Sequence, residues 1–181
     1  NKYFFYFGYM VRRKGLGFAL EGFRKFIERH PRLSYIFILA GGIIKGQEGA
    51  YEEIKMLVRK KNLSNRVIFK GFIEEKDQDE LYRDAYAVII PAIISMGSSG
   101  PLYHAESYGK CVMTSKVGHF LEEIDDLKTG ILVVNSNWDK AFEYAVSHPK
   151  IVRNIEMNVR AKARLRSPYR TAGLYLKLYK S

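Results

Sequence analysis

Along this chain, short apolar runs alternate with segments whose apolar residues recur every three to four positions. Tyr3-Phe4-Phe5-Tyr6-Phe7 predicts a first strand. Leu16, Ala19, Leu20, Phe23, Phe26 and Ile27 then share one face of a helix. His30-Pro31 stops that helix, because the residue before proline avoids the helical region. Tyr35 to Ala40 predicts a second strand, and Tyr51, Ile54, Leu57 and Val58 a second helical face. Arg66 to Lys70 reads as a third strand, followed by a helix over Asp79 to Tyr86. Val88-Ile89-Ile90 and Cys111-Val112-Met113 predict two more strands around a short helix that ends at Gly109. Gly130 to Val134 makes a sixth, after which Trp138, Ala141, Phe142, Ala145 and Val146 return to helical spacing and Pro149 begins a tail.

Strands that are apolar throughout, rather than at every second residue, belong in a parallel sheet covered on both faces. The expected class is therefore α/β, a doubly wound Rossmann-like parallel sheet of about six strands with a helical C-terminal tail. The tail, residues 150–181, is expected to pack on the domain of residues 1–149 or on a further domain. Sheets of this kind bind ligands beyond the carboxyl ends of their strands, near the point where strand order reverses. Function is accordingly sought in the loops that follow strands.

Composition narrows the setting. The 181 residues, 47% hydrophobic, suit one core. One cysteine, Cys111, can form no internal disulfide and reads as a buried strand residue in a reducing compartment. The longest apolar stretch, Ala87 to Ile94 with Pro91 inside it, is far short of the roughly 20 residues that span a bilayer. No secretory signal opens the chain, so a cytoplasmic setting is expected. Asn1 leads into a strand within two residues, which points to a piece of a longer protein. Lysine and arginine number 30 against 19 acidic residues, a net charge of +11. A solvated basic surface, nucleic acid, an anionic membrane face and a phosphate-bearing substrate all fit that charge.

Three loops after strands stand out. In Gly8-Tyr9-Met10-Val11-Arg12-Arg13-Lys14-Gly15, three adjacent cations precede a helix whose macrodipole favours anions. A phosphate would resolve that conflict; a solvated basic turn is the plainer alternative. Gly41-Gly42 closes the second strand, either as a turn or as an opening for a ligand. In the third, from Ser95 to Glu106, Pro101 suits a first helical position and Ser98, Ser99 or Gly100 can cap, leaving free N–H groups beside the fourth strand. Glu106 could accept from a ribose diol, although a glutamate on a helix surface needs no such role. The histidines His30, His104, His119 and His148 show no metal spacing, so no metal is expected. The chain contains no G-x-G-x-x-G, P-loop or G-x-S-x-G pattern.

Taken in order, these loops resemble the C-terminal half of GT-B glycosyltransferases, most closely retaining glycosyltransferase family 4. Lys14-Gly15 matches the family's Lys-Gly, whose lysine holds the donor diphosphate. Gly41-Gly42 matches its glycine turn, and Arg66-Val67-Ile68-Phe69-Lys70-Gly71-Phe72 its R-V-x-F-x-G-F strand, whose following loop lies against the nucleobase. Pro91, the Tyr108-Gly109-Lys110 turn, and Gly118, Glu122 and Thr129-Gly130 continue the pattern. Glu106 is read as the second glutamate of the E-x7-E motif, the one that holds the ribose. Two positions depart: Ser98 stands eight residues earlier, where the first glutamate belongs, and Tyr9 replaces an arginine after the first-strand glycine.

The resemblance implies one half of a GT-B fold that binds a nucleotide-diphospho-sugar and no separate cofactor. Gly8, Arg13, Lys14, Ser98, Ser99, Gly100, Pro101 and Leu102 would hold the diphosphate, Glu106 the ribose, and Gly41, Gly42, Phe72 and Ile73 the nucleobase side. The acceptor and any general base would belong to an N-terminal domain, so the isolated half is expected not to turn over. The alternative is a non-catalytic nucleotide-sugar-binding domain, motivated by Ser98. Nucleic acid is not expected as a partner, because the aromatics fall on predicted core positions. Basic residues of the tail, Arg153, Arg160, Lys162, Arg164, Arg166 and Arg170, suit either solvent or an anionic membrane face with a lipid-linked acceptor, the apolar Leu174, Leu176 and Leu178 packing on the partner domain.

Overall fold

The computed structural model describes residues 2–165 and residues 172, 173, 175, 176 and 179. Strands and helices alternate: β1 (Tyr3–Phe7), α1 (Leu16–Arg29), β2 (Ile36–Ala40), α2 (Glu48–Lys60), β3 (Val67–Gly71), α3 (Glu75–Asp84), β4 (Ala87–Ile90), α4 (Gly100–Ser107), β5 (Val112–Ser115), α5 (Phe120–Glu123), β6 (Ile131–Val133), α6 (Trp138–Ser147) and α7 (Pro149–Leu165). All strands pair in parallel, in the order β3-β2-β1-β4-β5-β6. Order reverses between β1 and β4, which places the ligand crevice of such sheets above those two strands.

The two faces of the sheet carry separate cores. Buried side chains of α1, α2, α6 and α7 pack on one face; those of α3, α4 and α5 pack on the other. Phe142 of α6 is the hub of the first core, with its ring 4.7 Å from Phe4, 5.6 Å from Phe23 and 6.0 Å from Trp138. The apolar face expected of the first helix is the buried face of α1, and the helix ends at Arg29, with His30 out of helical geometry. Cys111 is fully buried just ahead of β5, and burial pushes its thiol up to about 12.

Three elements differ from the sequence reading. α3 begins four residues earlier than expected and ends at Asp84, because Ala85 is already extended and the Tyr86 N–H bonds to the Tyr3 carbonyl at the start of the sheet. β3 alternates, with Ile68 and Lys70 exposed, since this edge strand is covered on one face only. The short helix α5 has no counterpart in the reading. Of the tail, α7 buries Val152, Ile155 and Val159 in the first core. Arg166, Arg170, Leu174 and Leu178 lie outside the described residues, and Leu176 is exposed. Among the described residues, no helix is long and apolar enough to cross a membrane.

Candidate functional site

Beyond the carboxyl end of β1 the chain is held down at once. The Gly8 N–H donates to the Ala40 carbonyl at 3.0 Å, and the Tyr6 hydroxyl donates to the Tyr9 carbonyl at 2.8 Å. Arg12–Lys14 form one turn of 3-10 helix, closed by Gly15, whose φ of +64° disfavours any side chain. Gly15 is also the start of α1 and lies directly on Pro91, so that a Cβ there would overlap the Pro91 carbonyl oxygen. The Ile93 N–H donates to the Arg13 carbonyl at 3.0 Å. These two contacts fasten the loops after β1 and β4 to each other across the switch point.

The three cations separate in role. Arg12 pairs with Glu53 on α2 and points away. Among the described residues, no acidic side chain pairs with Arg13 or Lys14. Burial first, and the neighbouring Arg13 second, hold the Lys14 ammonium below its ordinary value. A cation whose folded-state pKa is depressed opposes folding while it is protonated. Stability of the free protein should therefore rise as pH climbs through the depressed value toward the ordinary one. Lys14→Met, which removes the charge, should raise the melting temperature slightly near neutral pH; a lower one would mean that Lys14 is already satisfied.

The β2 and β3 ends join the same edge. The Gly41 N–H donates to the Gly71 carbonyl at 2.8 Å, Gly41 backs onto Gly8, and Gly42 lies beside the Tyr9 ring. Phe72 follows Gly71 and is 83% exposed, unusual for a large apolar ring. Ile73 turns inward against the second core, away from the open edge.

On the other side of the switch point, α4 starts at Gly100 after Ser99, whose side chain makes no capping bond. The Leu102 and Tyr103 N–H groups already donate to the Ser99 carbonyl, at 3.0 and 3.1 Å, and proline has no N–H. The expectation that donors run from Ser99 to Leu102 therefore narrows to Ser99 and Gly100. Neither N–H has an acceptor among the described residues, and Ser98 beside them is exposed.

Glu106 is more enclosed than a glutamate on a helix surface. It is 4% exposed, and Lys162 of α7 donates to its Oε1 at 2.7 Å while also reaching the Glu123 carbonyl. The carboxylate thereby anchors α7 to α4 through one of its two oxygens. Lys162→Met should cost about 1–3 kcal/mol by leaving a buried carboxylate without its cation. Glu106→Gln in the same chain should restore part of the loss. Urea unfolding of the single and double variants measures both, and equal stabilities throughout would dismiss the anchor.

The exposed polar group one turn into α4 is His104, on the same face as Gly100. Its Nδ1 lies 3.5 Å from the Gln78 amide of α3, and its ring stacks on Tyr82. The sequence carried this signal in the four-residue spacing from Gly100. Among the described residues, no three histidine, cysteine or acidic side chains are grouped to hold a metal.

Residues 1–160 match the sequence family described as glycosyl transferases group 1. A curated relative, an uncharacterized glycosyltransferase of Methanocaldococcus jannaschii, is 26% identical over 139 residues, which cover 77% of this chain and 33% of that protein. Anabaena HepE, solved in complex with UDP, superposes with a TM-score of 0.86 at 19% identity over 100% of this chain and 49% of its own. The C-terminal domain of a glycosyl transferase group 1 family protein (LpcC) from Francisella tularensis superposes at 0.80 with 20% identity, covering 91% of this chain and 85% of that one. The chain thus spans about a third of the curated relative and about half of HepE.

Proposed function

Because the chain belongs to the glycosyl transferases group 1 family, we propose that it is the donor half of a glycosyltransferase and binds a nucleotide-diphospho-sugar at the β1–β4 switch point. The observation that supports this reading is that the loop holding Arg13 and Lys14 is fastened to the loop that leads into Ser99 and Gly100, and that among the described residues those cations have no acidic partner and those N–H groups no acceptor. Such a site has cations and amide dipoles fixed in place before any ligand arrives. Transfer builds negative charge on the leaving diphosphate, and preorganised donors stabilise that charge without reorganising. HepE, of the same fold, is solved with UDP and with UDP-glucose, which supports the ligand class.

Gly8, Gly41 and Gly42 let backbone approach the ligand, and the exposed Phe72 offers a face for the nucleobase. The ribose hydroxyls go to the Glu106 carboxylate, whose Oε1 also holds Lys162. The sugar would then go, with retention of configuration, to an acceptor held by an N-terminal domain of the same protein. A membrane surface carrying a lipid-linked acceptor fits the basic balance of the chain.

Calorimetric titration with UDP, GDP and ADP, and with UDP-glucose, GDP-mannose and ADP-glucose, tests the site. One member of each set should bind, and Lys14→Met should weaken it by about tenfold or more, since a charge-assisted contact contributes about 1.5–3 kcal/mol. Affinity should also fall as pH rises past the depressed Lys14 value, because the bound anion favours the protonated amine. Equal affinities for wild type and variant would remove Lys14 from the site. Ser98 motivates a second reading, a domain that binds the donor without turning it over. Transfer by the full-length protein decides between them, with Ser98→Glu as the arm that would restore a lost activity.

A further inference from the structure

A polar pair that begins at Tyr103, next to His104 on α4, has no part in the donor contacts described so far. The Tyr103 hydroxyl lies 3.2 Å from the His119 Nε2, joining the first turn of α4 to the loop after β5. That loop is fastened in its turn to the loop after β4. The His119 N–H donates to the Ser95 carbonyl at 3.2 Å, and Gly118, at a φ of +47°, sits so close that a Cβ would overlap the same oxygen. Tyr103 is 37% exposed, and the imidazole edge faces the carboxylates of Glu122 and Glu123, each 3.8 Å away.

Position along the sheet edge gives the pair a role. Phe72 and Gly41-Gly42 follow β3 and β2, and Arg13, Lys14, Ser99 and Gly100 lie in the loops after β1 and β4. A nucleotide sugar laid along this edge with its base over β3 and its diphosphate over the switch point carries its sugar toward β5. A sugar presents hydroxyl groups, which need partners that both donate and accept. Position 98, the expected source of a carboxylate, supplies only a serine hydroxyl. Tyr103, His119 and the 82% exposed Glu122 are the donor-and-acceptor set found at the β5 end.

We propose that Tyr103 and His119 form the wall of the donor site that contacts the sugar, an assignment that rests on the donor-site reading above. The two residues recognise the hexose and not the nucleoside diphosphate, so their effects should appear only when the sugar is present.

The experiment compares wild type, Tyr103→Phe and His119→Ala in calorimetric titrations with UDP, GDP and ADP and with UDP-glucose, GDP-mannose and ADP-glucose. Tyr103→Phe removes one oxygen and keeps the ring, which guards against a variant that fails to fold. Both variants should bind the preferred diphosphate within about twofold of wild type, and the matching diphospho-hexose about three- to tenfold more weakly. Variants that bind the diphospho-hexose as well as wild type does, or that lose both ligands equally, would overturn the wall while leaving the donor site standing. A wild type that binds none of the six removes the donor site, and the wall with it.

Discussion

Gly15→Ala is expected to abolish nucleotide binding while the sheet still forms. Two costs add at this position. The left-handed backbone itself disfavours a side chain by about 1–2 kcal/mol. The new methyl group would also occupy the space of the Pro91 carbonyl oxygen, which is backbone and cannot rotate aside. The loops after β1 and β4 must then separate, and the Ile93 N–H loses the Arg13 carbonyl. Lys14 moves with its loop, and Ser99 and Gly100 with theirs, so at least two charge-assisted contacts fail together. At about 1.5–3 kcal/mol each, affinity should drop on the order of a hundredfold or more. Titration with the preferred nucleoside diphosphate, alongside circular dichroism to show a retained fold, measures this. Affinity within a few fold of wild type would mean that the two loops bind independently.

Phe142→Ala should be the most damaging substitution in the core, by about 3–5 kcal/mol. Phe142 is fully buried between α1, α6 and the sheet, in ring contact with Phe4, Phe23, Phe26, Phe37 and Trp138. Those neighbours belong to β1, α1, β2 and α6, which cannot all close on one void. In a chain of this size the melting temperature should fall on the order of 10 °C. Phe142→Leu, which refills most of the volume, should recover much of it. A loss below 1 kcal/mol in urea unfolding would show that the cluster collapses easily. Because Gly15 caps the start of α1, loosening the core face of that helix should also lower nucleotide affinity, by less than Gly15→Ala does.

The depressed Lys14 ammonium connects stability with binding. A partly buried cation with a like charge beside it opposes folding until an anion arrives, so Lys14→Met should stabilise the empty protein and weaken the filled one. Functional sites commonly carry such strain, and a purely structural cation would move both quantities in the same direction.

Particular residues mark how far the sequence reached. The six strands and the buried faces of α1 and α6 were legible because apolar periodicity records which side of a local element meets the core. Lys14-Gly15 and Pro91 were legible through their place after strands, although not their contact with each other. Glu106 was legible by its spacing on α4, but its ion pair was not, because Lys162 lies 56 residues later on another helix. The edge position of β3 and the early end of α3 were hidden for a similar reason, since exposure of Ile68 depends on what lies beside the strand. His119 and Tyr103, 16 residues apart, gave no joint signal at all.

Sequence alone thus determined the order of the elements, the parallel sheet and the edge at which sheets of this class bind ligands. These follow from hydrophobic period and turn residues, which act within a few positions of chain. Tertiary structure decided how polar groups at that edge are engaged: among the described residues the Ser99 and Gly100 N–H groups have no acceptor and Lys14 no acidic partner, while His104 meets Gln78 and Glu106 holds Lys162. Whether a polar atom is spent on the protein or left for a ligand depends on partners brought from distant segments, and local pattern does not encode them.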